Sequence, residues 1–224
     1  MIRLHVLGEG QTEKRFVESL LVSYLIHFNV IADVCCFLTR NDESSGQQYK
    51  GGISNYAKVK SDIVTRIHTD NHDECRFTTM IDLYGLPDDF PGYHEASSCT
   101  DPYRKVEILE SAFAQDIADP RFIPYIQLHE FEALIFADPG KLKEEYIDNV
   151  RQINSLIQDT QHIAPEMIND NPSTSPSHRI YGAIPAYDKY YAGSAVTESI
   201  GLDRIRQKCP HFNEWLTKLE GLNN

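Results

Sequence analysis

Glu9, Asp82, Glu130 and Glu132 are carboxylates from three separated stretches of the chain, each at or just past the end of a short apolar run. Carboxylates from different strands can hold a hard divalent cation. Mg²⁺ takes oxygen ligands, commonly one or two protein carboxylates, and fills its remaining positions with water and substrate phosphate. Asp82 with Glu9 or Glu130 suits that role, with Glu132 as a further ligand, and Mn²⁺ suits the same oxygen set. Such a site could hydrolyse a phosphodiester, with the metal or a carboxylate such as Glu9 or Glu130 activating water. Lys189 is the cation best suited to stabilise phosphoryl charge, although no spacing argument brings it to the acids. Plainer roles stand beside these. Glu9 could favour a helix N-terminus, Asp82 could cap a loop, and Glu130 and Glu132 could be solvated acids beside His129 at a helix start.

Other constellations carry less. His68, His72, Asp73 and Cys75 have a spacing that suggests zinc, but they fall at a helix end without a matching second pair, and a surface turn accounts for them better. Gly8 and Gly10 permit a tight turn. They do not form a phosphate loop, because the lysine and hydroxyl residue of that motif are missing. Arg179, Lys189, Arg204, Arg206 and Lys208 outnumber the neighbouring acids Asp188, Glu198 and Asp203, which is compatible with a phosphate-facing patch and equally with a mixed-charge surface helix.

The elements that must position these residues alternate. Residues 2–7 read as a strand, Gly8-Glu9-Gly10-Gln11 as a turn, and Thr12 as the N-cap of a helix with Phe16, Val17, Leu20, Leu21, Tyr24, Leu25 and Phe28 on its apolar face. Residues 30–38 form a second strand, 39–52 a polar loop, and Ile53, Tyr56, Val59, Ile63 and Ile67 mark a second helix. A third strand over 77–83 holds Asp82; 84–102 is an excursion, 103–117 a helix, 122–128 a fourth strand, and a helix follows from His129. The fold class is therefore α/β, a mainly parallel sheet of about four strands flanked by helices, with a helical C-terminal extension. Residues 1–136 form the core and 137–224 the extension, within one structural domain. In such sheets ligands bind outside the carboxyl ends of the strands, where Glu9, Asp82, Glu130 and Glu132 fall. Beyond Pro139 the pattern is helical to about Thr160, and the tail over 199–222 is helical with Pro210 interrupting it.

The net charge is −12, from 21 Lys and Arg against 33 Asp and Glu, which opposes attraction to a polyanion. A DNA or RNA substrate would need positive charge from a metal, a local basic face or a partner. The apolar N-terminal run ends at Gly8, too short for a signal peptide or membrane span. Five cysteines without a Cys-x-x-Cys pair suit a reducing, cytoplasmic setting.

Gly8-Glu9-Gly10-Gln11-Thr12-Glu13 after the first strand and Met80-Ile81-Asp82 ending a later one resemble the Toprim domain. More narrowly, Leu128-His129-Glu130-Phe131-Glu132-Ala133-Leu134, Ser175-Pro176-Ser177-His178-Arg179, Tyr187-Asp188-Lys189 and Cys209-Pro210-His211-Phe212 with Trp215 resemble an uncharacterised Toprim-like bacterial family. Its members are often encoded beside AAA or ABC-type ATPases. The resemblance implies a metal-dependent nuclease acting with a partner ATPase in antiphage defence, with Glu9 in acid–base or metal work and Asp82 on metal. The chain departs from the Asp-x-Asp pattern at Tyr84, where the second aspartate belongs. Asp88, Asp89, Glu130 and Glu132 are the candidates to replace it, and a two-metal mechanism loses support. The alternative is a Toprim-like regulatory or scaffold subunit without catalysis.

Overall fold

The structure is a computed structural model that describes residues 1–37, 53, 55–169 and 172–223. The expected loop over 39–52 and the Leu38 end of strand two lie outside these residues. The elements in chain order are β1 (Ile2–Gly8), α1 (Gln11–Phe16), a π-helical stretch (Val17–Leu21), α2 (Val22–Leu25), β2 (Val30–Cys36), α3 (Tyr56–Thr69), β3 (Cys75–Asp82), α4 (Tyr93–Ser97), α5 (Pro102–Ile117), β4 (Phe122–Ile123) and β5 (Ile126–Gln127). A 3₁₀ segment (Phe131–Ala137) leads to α6 (Leu142–Glu145), α7 (Val150–Thr160), α8 (Pro176–Ala183), α9 (Lys189–Ile200), α10 (Leu202–Lys208) and α11 (Pro210–Glu220).

The strands run parallel in the order β2-β1-β3-β4, with β5 continuing beside β3. Alternation along β1 sends Leu4 and Val6 to one face and Leu7 to the other. The first face, joined by Met80, is covered by α1, α2 and the C-terminal helices. The second, which carries Phe77 and Ile81, is covered by α3 and α5. Trp215 of α11 is buried on the first face, stacked on Tyr125 at 4.2 Å, and its indole N–H donates to Thr78 Oγ1 at 2.9 Å. The extension thus closes the core of the sheet.

Several expectations are corrected. The N-cap of α1 is Gly10, not Thr12, which is buried inside the first turn. Gly10 takes extended backbone there, and its N–H is satisfied by the Glu13 carboxylate at 2.8 Å, so no hydroxyl cap is needed. The fourth strand is two short pieces, because Pro124 has no N–H for the ladder. Thr79 bridges the gap: its hydroxyl donates to Tyr125 O at 2.9 Å and accepts from Tyr125 N at 3.0 Å. No α-helix starts at His129. That residue has φ 63°, a left-handed backbone unusual for a non-glycine residue, and the following turns are 3₁₀. The helical stretch after Pro139 is broken between α6 and α7 by a 3₁₀ turn, Ile147–Asn149. In the tail, Pro210 starts α11 at a position where its missing N–H costs nothing. Glu166 accepts from the next two N–H groups, His211 at 3.0 Å and Phe212 at 2.9 Å. Among the described residues, no helix is long and apolar enough to cross a membrane.

His211 clamps α11 to β5, its Nε2 lying 3.1 Å from both Glu110 Oε1 and Ile126 O, with the ring stacked on Tyr125. Burial works against its charged form, but the hydrogen bond and charge of Glu110, with the charge of Glu166, raise its pKa. The folded state therefore favours the protonated ring. Its contribution is complete below about pH 6.5, the unperturbed histidine value, and is lost as pH rises through the raised folded value. His211→Gln is expected to cost more stability at pH 5.5 than at pH 8.5. Urea unfolding at the two pH values measures the difference, and an equal cost at both would contradict the assignment.

Candidate functional site

The candidate site lies at the carboxyl edge of the sheet and takes its residues from five elements. Glu9 follows β1, and one of its carboxylate oxygens accepts from Asp82 N–H at 3.0 Å, so the ends of two adjacent strands are tied together. Glu13 comes from the first turn of α1, its orientation set by the bond to Gly10 N–H. Asp82 ends β3 on the face covered by α1 and α9. Glu132 stands in the 3₁₀ segment after β5 and is fully buried.

Lys189, the first residue of α9, enters from the opposite end of the chain. Its Nζ lies 2.9 Å from Glu132 Oε2 and 3.9 Å from Asp82 Oδ2. Asp188 caps α9 by accepting from Tyr190 N–H and Tyr191 N–H, which holds Lys189 at the helix start. The helix approaches α1 closely at Gly193, where a Cβ would meet the Tyr187 hydroxyl at 3.1 Å and Thr12 Cγ2 at 3.4 Å.

Glu9, Glu13, Asp82 and Glu132 thus share one ammonium. Burial raises the Glu9 pKa to about 7; the Asp82 N–H bond opposes the rise, the Glu13 charge adds to it, and Lys189 opposes it. Asp82 is raised well above the ordinary aspartate range by burial, against the pull of Lys189 and with the push of Glu9, Glu13 and Glu132. Burial also raises Glu13 and Glu132. For Lys189, burial favours the neutral amine, but the charges of Glu132 and Asp82 outweigh it and raise its pKa. Asp82 Oδ1, Glu132 Oε1 and the Tyr187 hydroxyl are buried without a hydrogen-bond partner.

Orphaned carboxylate oxygens around a shortage of positive charge fit a cation. Glu9, Asp82 and Glu132 could hold one, but they do not present three ligand atoms within 4.8 Å of one another, and Lys189 stands as their counter-ion.

Glu130 goes elsewhere: its carboxylate accepts from Ser177 N–H at 3.1 Å in the first turn of α8 and acts on Glu132 only through its charge. The candidates to replace the second aspartate are likewise occupied or remote. Asp89 accepts from Tyr56 N–H at the start of α3, and Asp88 is exposed. Tyr84 lies in a 3₁₀ turn, Leu83–Gly85, its N–H bonded to His129 O at 3.0 Å. His129 is held by Asn169, whose amide meets Nδ1 at 3.1 Å, and by Glu166 O, 3.0 Å from Nε2. Asn169 donating to Nδ1 leaves Nε2–H for the carbonyl, a neutral tautomer that agrees with the pKa lowered by burial. A cavity of about 650 Å³ opens beside this turn, lined in part by Tyr84, Tyr93, Lys105, His129 and Asn169.

Arg206 is engaged by Glu220 at 2.6 Å and by Tyr24, away from the acidic edge. Glu13 and Tyr187 are the members of the site that sequence reasoning missed. A signal existed for Glu13, four residues after Glu9 and three after the Gly10 turn. For Tyr187 the signal was its place beside Lys189 in the Tyr187-Asp188-Lys189 segment.

The sequence matches the family described as Domain of unknown function (DUF4276) over residues 8–220. The chain belongs to the DUF4276 family. In this DUF4276 chain the match spans every member of the acidic site, from Glu9 to Lys189. No match was found among curated proteins or among solved structures.

Proposed function

We propose that this DUF4276 protein is a metal-dependent phosphodiester hydrolase of Toprim type, acting on DNA or RNA. One observation carries the reading: four carboxylates, three of them buried, converge on a single ammonium at the strand edge where α/β sheets bind ligands. Asp82 and Glu9, with Glu132 behind them, would hold Mg²⁺ or Mn²⁺. A bound metal would supply charge neutralisation at the phosphoryl oxygens and a more acidic water. Where Asp82 and Glu132 carry the cation, Glu9 is the neighbouring carboxylate placed to take a proton from water. Lys189 neutralises phosphate charge once it releases a carboxylate. The adjoining cavity, with Tyr84 and Tyr93 on its wall, offers aromatic surface to a nucleotide. The acidity of the chain makes a partner the natural source of basic surface. On the sequence resemblance, that partner is an AAA or ABC-type ATPase and the setting antiphage defence; the cysteine pattern suits the cytoplasm.

A second reading has its own support. Lys189 already neutralises Glu132 and Asp82, and Tyr84 replaces an expected ligand, as in a Toprim-like scaffold that has exchanged metal for an ion pair.

Calorimetric titration of the full chain with Mn²⁺ and Mg²⁺ separates the two. The hydrolase reading expects binding that falls at least tenfold in Glu9→Gln and in Asp82→Asn. Unchanged binding in both variants, or none in the parent, would favour the scaffold.

A further inference from the structure

We propose that His5, Asp70 and Cys75 form a zinc site, separate from the acidic edge and placed towards the amino end of the sheet. The parallel register of β1 and β3, Arg3 opposite Cys75 and His5 opposite Phe77, puts His5 and Cys75 on one face of neighbouring strands. Asp70, the C-cap of α3, reaches the same point from the helix that covers this face. One ligand atom from each residue lies within 4.8 Å of the others, and among the described residues this is the one set of three His, Cys, Asp or Glu that does so. Tetrahedral zinc bonds of about 2.0–2.3 Å set ligand atoms about 3.3–3.8 Å apart, so these atoms need shift by no more than about 1 Å to receive the ion.

The donor chemistry selects the metal. A thiolate and an imidazole suit Zn²⁺ and reject Mg²⁺, and thiolate plus carboxylate balance two positive charges. A metal-bound histidine characteristically has a carboxylate at its second nitrogen; Asp33 stands there as an ion-pair partner of His5, close to Nδ1 but not aligned as a hydrogen-bond acceptor. His5 Nδ1 lies 2.7 Å from Asp33 Oδ2, which leaves Nε2, 3.0 Å from Asp70 Oδ2, to face the site. Asp33 is held in turn by Arg66 at 2.8 Å, and Asp70 by Arg3 at 2.9 Å. The His5 ring is stacked on Phe77 at 5.2 Å, which fixes its plane. Cys75 is fully buried, so the thiol is placed for a ligand and not for attack on a substrate. Three protein ligands leave one tetrahedral position for water. The site pins the end of α3 to β1 and β3, a structural role that does not depend on the function proposed for the acidic edge.

The test uses the metal-stripped full chain titrated with Co²⁺, whose thiolate charge-transfer absorbance in the near ultraviolet reports a bound cysteine. One equivalent is expected to produce the band, and Zn²⁺ to displace it. Cys75→Ser should abolish the band while circular dichroism shows a folded chain, and Asp33→Asn should weaken binding about 10–100-fold. Should Cys75→Ser not fold, Asp70→Asn replaces it, with loss of binding expected. Glu9→Gln and Asp82→Asn are expected to leave the band unchanged, which distinguishes this site from the acidic one. Absence of the band in the parent, or its persistence in Cys75→Ser, would overturn the proposal.

Discussion

Trp215→Ala is expected to lower the unfolding free energy by about 3–5 kcal/mol, the usual cost of removing a large buried aromatic side chain. The indole fills the space between α11 and the sheet, packs on Tyr125 and Phe212, and satisfies Thr78. Truncation leaves a cavity, deprives Tyr125 of its stacking partner and strips a buried hydroxyl of its donor. Trp215→Phe retains an aromatic ring and loses the N–H, so its cost should be smaller, with about 1–3 kcal/mol from the unsatisfied Thr78 hydroxyl. Trp215 is the only tryptophan, so urea unfolding must be followed by far-ultraviolet circular dichroism. A loss below about 1 kcal/mol for the alanine variant would mean that the C-terminal helices are not part of the cooperative core.

Lys189→Met should have the second largest effect, and its size depends on pH. The substitution keeps the length of the stem and removes the charge that Glu132 and Asp82 face. Breaking a buried ion pair costs about 3–5 kcal/mol. The Lys189 side chain is 38% exposed, so solvent screening reduces this to about 2–3 kcal/mol. Asp82 and Glu132 already have raised folded pKa values, and loss of the ammonium raises them further. A group that binds protons more tightly in the folded state lowers stability as pH rises from its unfolded value, about 4 for a carboxylate, through its folded one. The variant should therefore be nearly as stable as the parent at pH 5 and clearly weaker at pH 8, as read by urea unfolding. Mn²⁺ should raise its Tm more than that of the parent at pH 8, because metal and Lys189 neutralise the same oxygens. An equal rise in both chains would place the metal elsewhere.

How much of this was legible varies with the physics behind each element. The parallel sheet was readable because β1 and β3, buried on both faces over most of their length, are rich in apolar residues despite Arg3 and His5 in one and Arg76, Thr78 and Thr79 in the other, and because Glu9 and Asp82 terminate them. The end of β4 was not, because the Thr79 hydroxyl repairs the break at Pro124 from across the sheet. The turn after β5 read as a helix from Phe131, Leu134 and Ile135, yet the left-handed His129 and the packing around it impose 3₁₀ turns in which every residue from Phe131 to Ala137 is buried. Glu130 and Glu132 look alike in sequence, and only the position of α8 decides that one caps a helix while the other meets Lys189. Cys75 was noticed beside His68 and His72 by distance along the chain. In the fold those histidines are exposed, and its neighbour is His5, brought there by strand register.

The covering of the first sheet face has a consequence for synthesis. Leu4 and Val6 emerge from the ribosome well before α9, α10 and α11 are made. At about 5–20 residues per second the nascent chain holds a half-covered apolar face for on the order of 10–40 s before these helices can dock. That interval makes the growing polypeptide a natural client for ribosome-associated chaperones, and it delays the acidic cluster, because Glu9 and Glu13 must wait for Lys189.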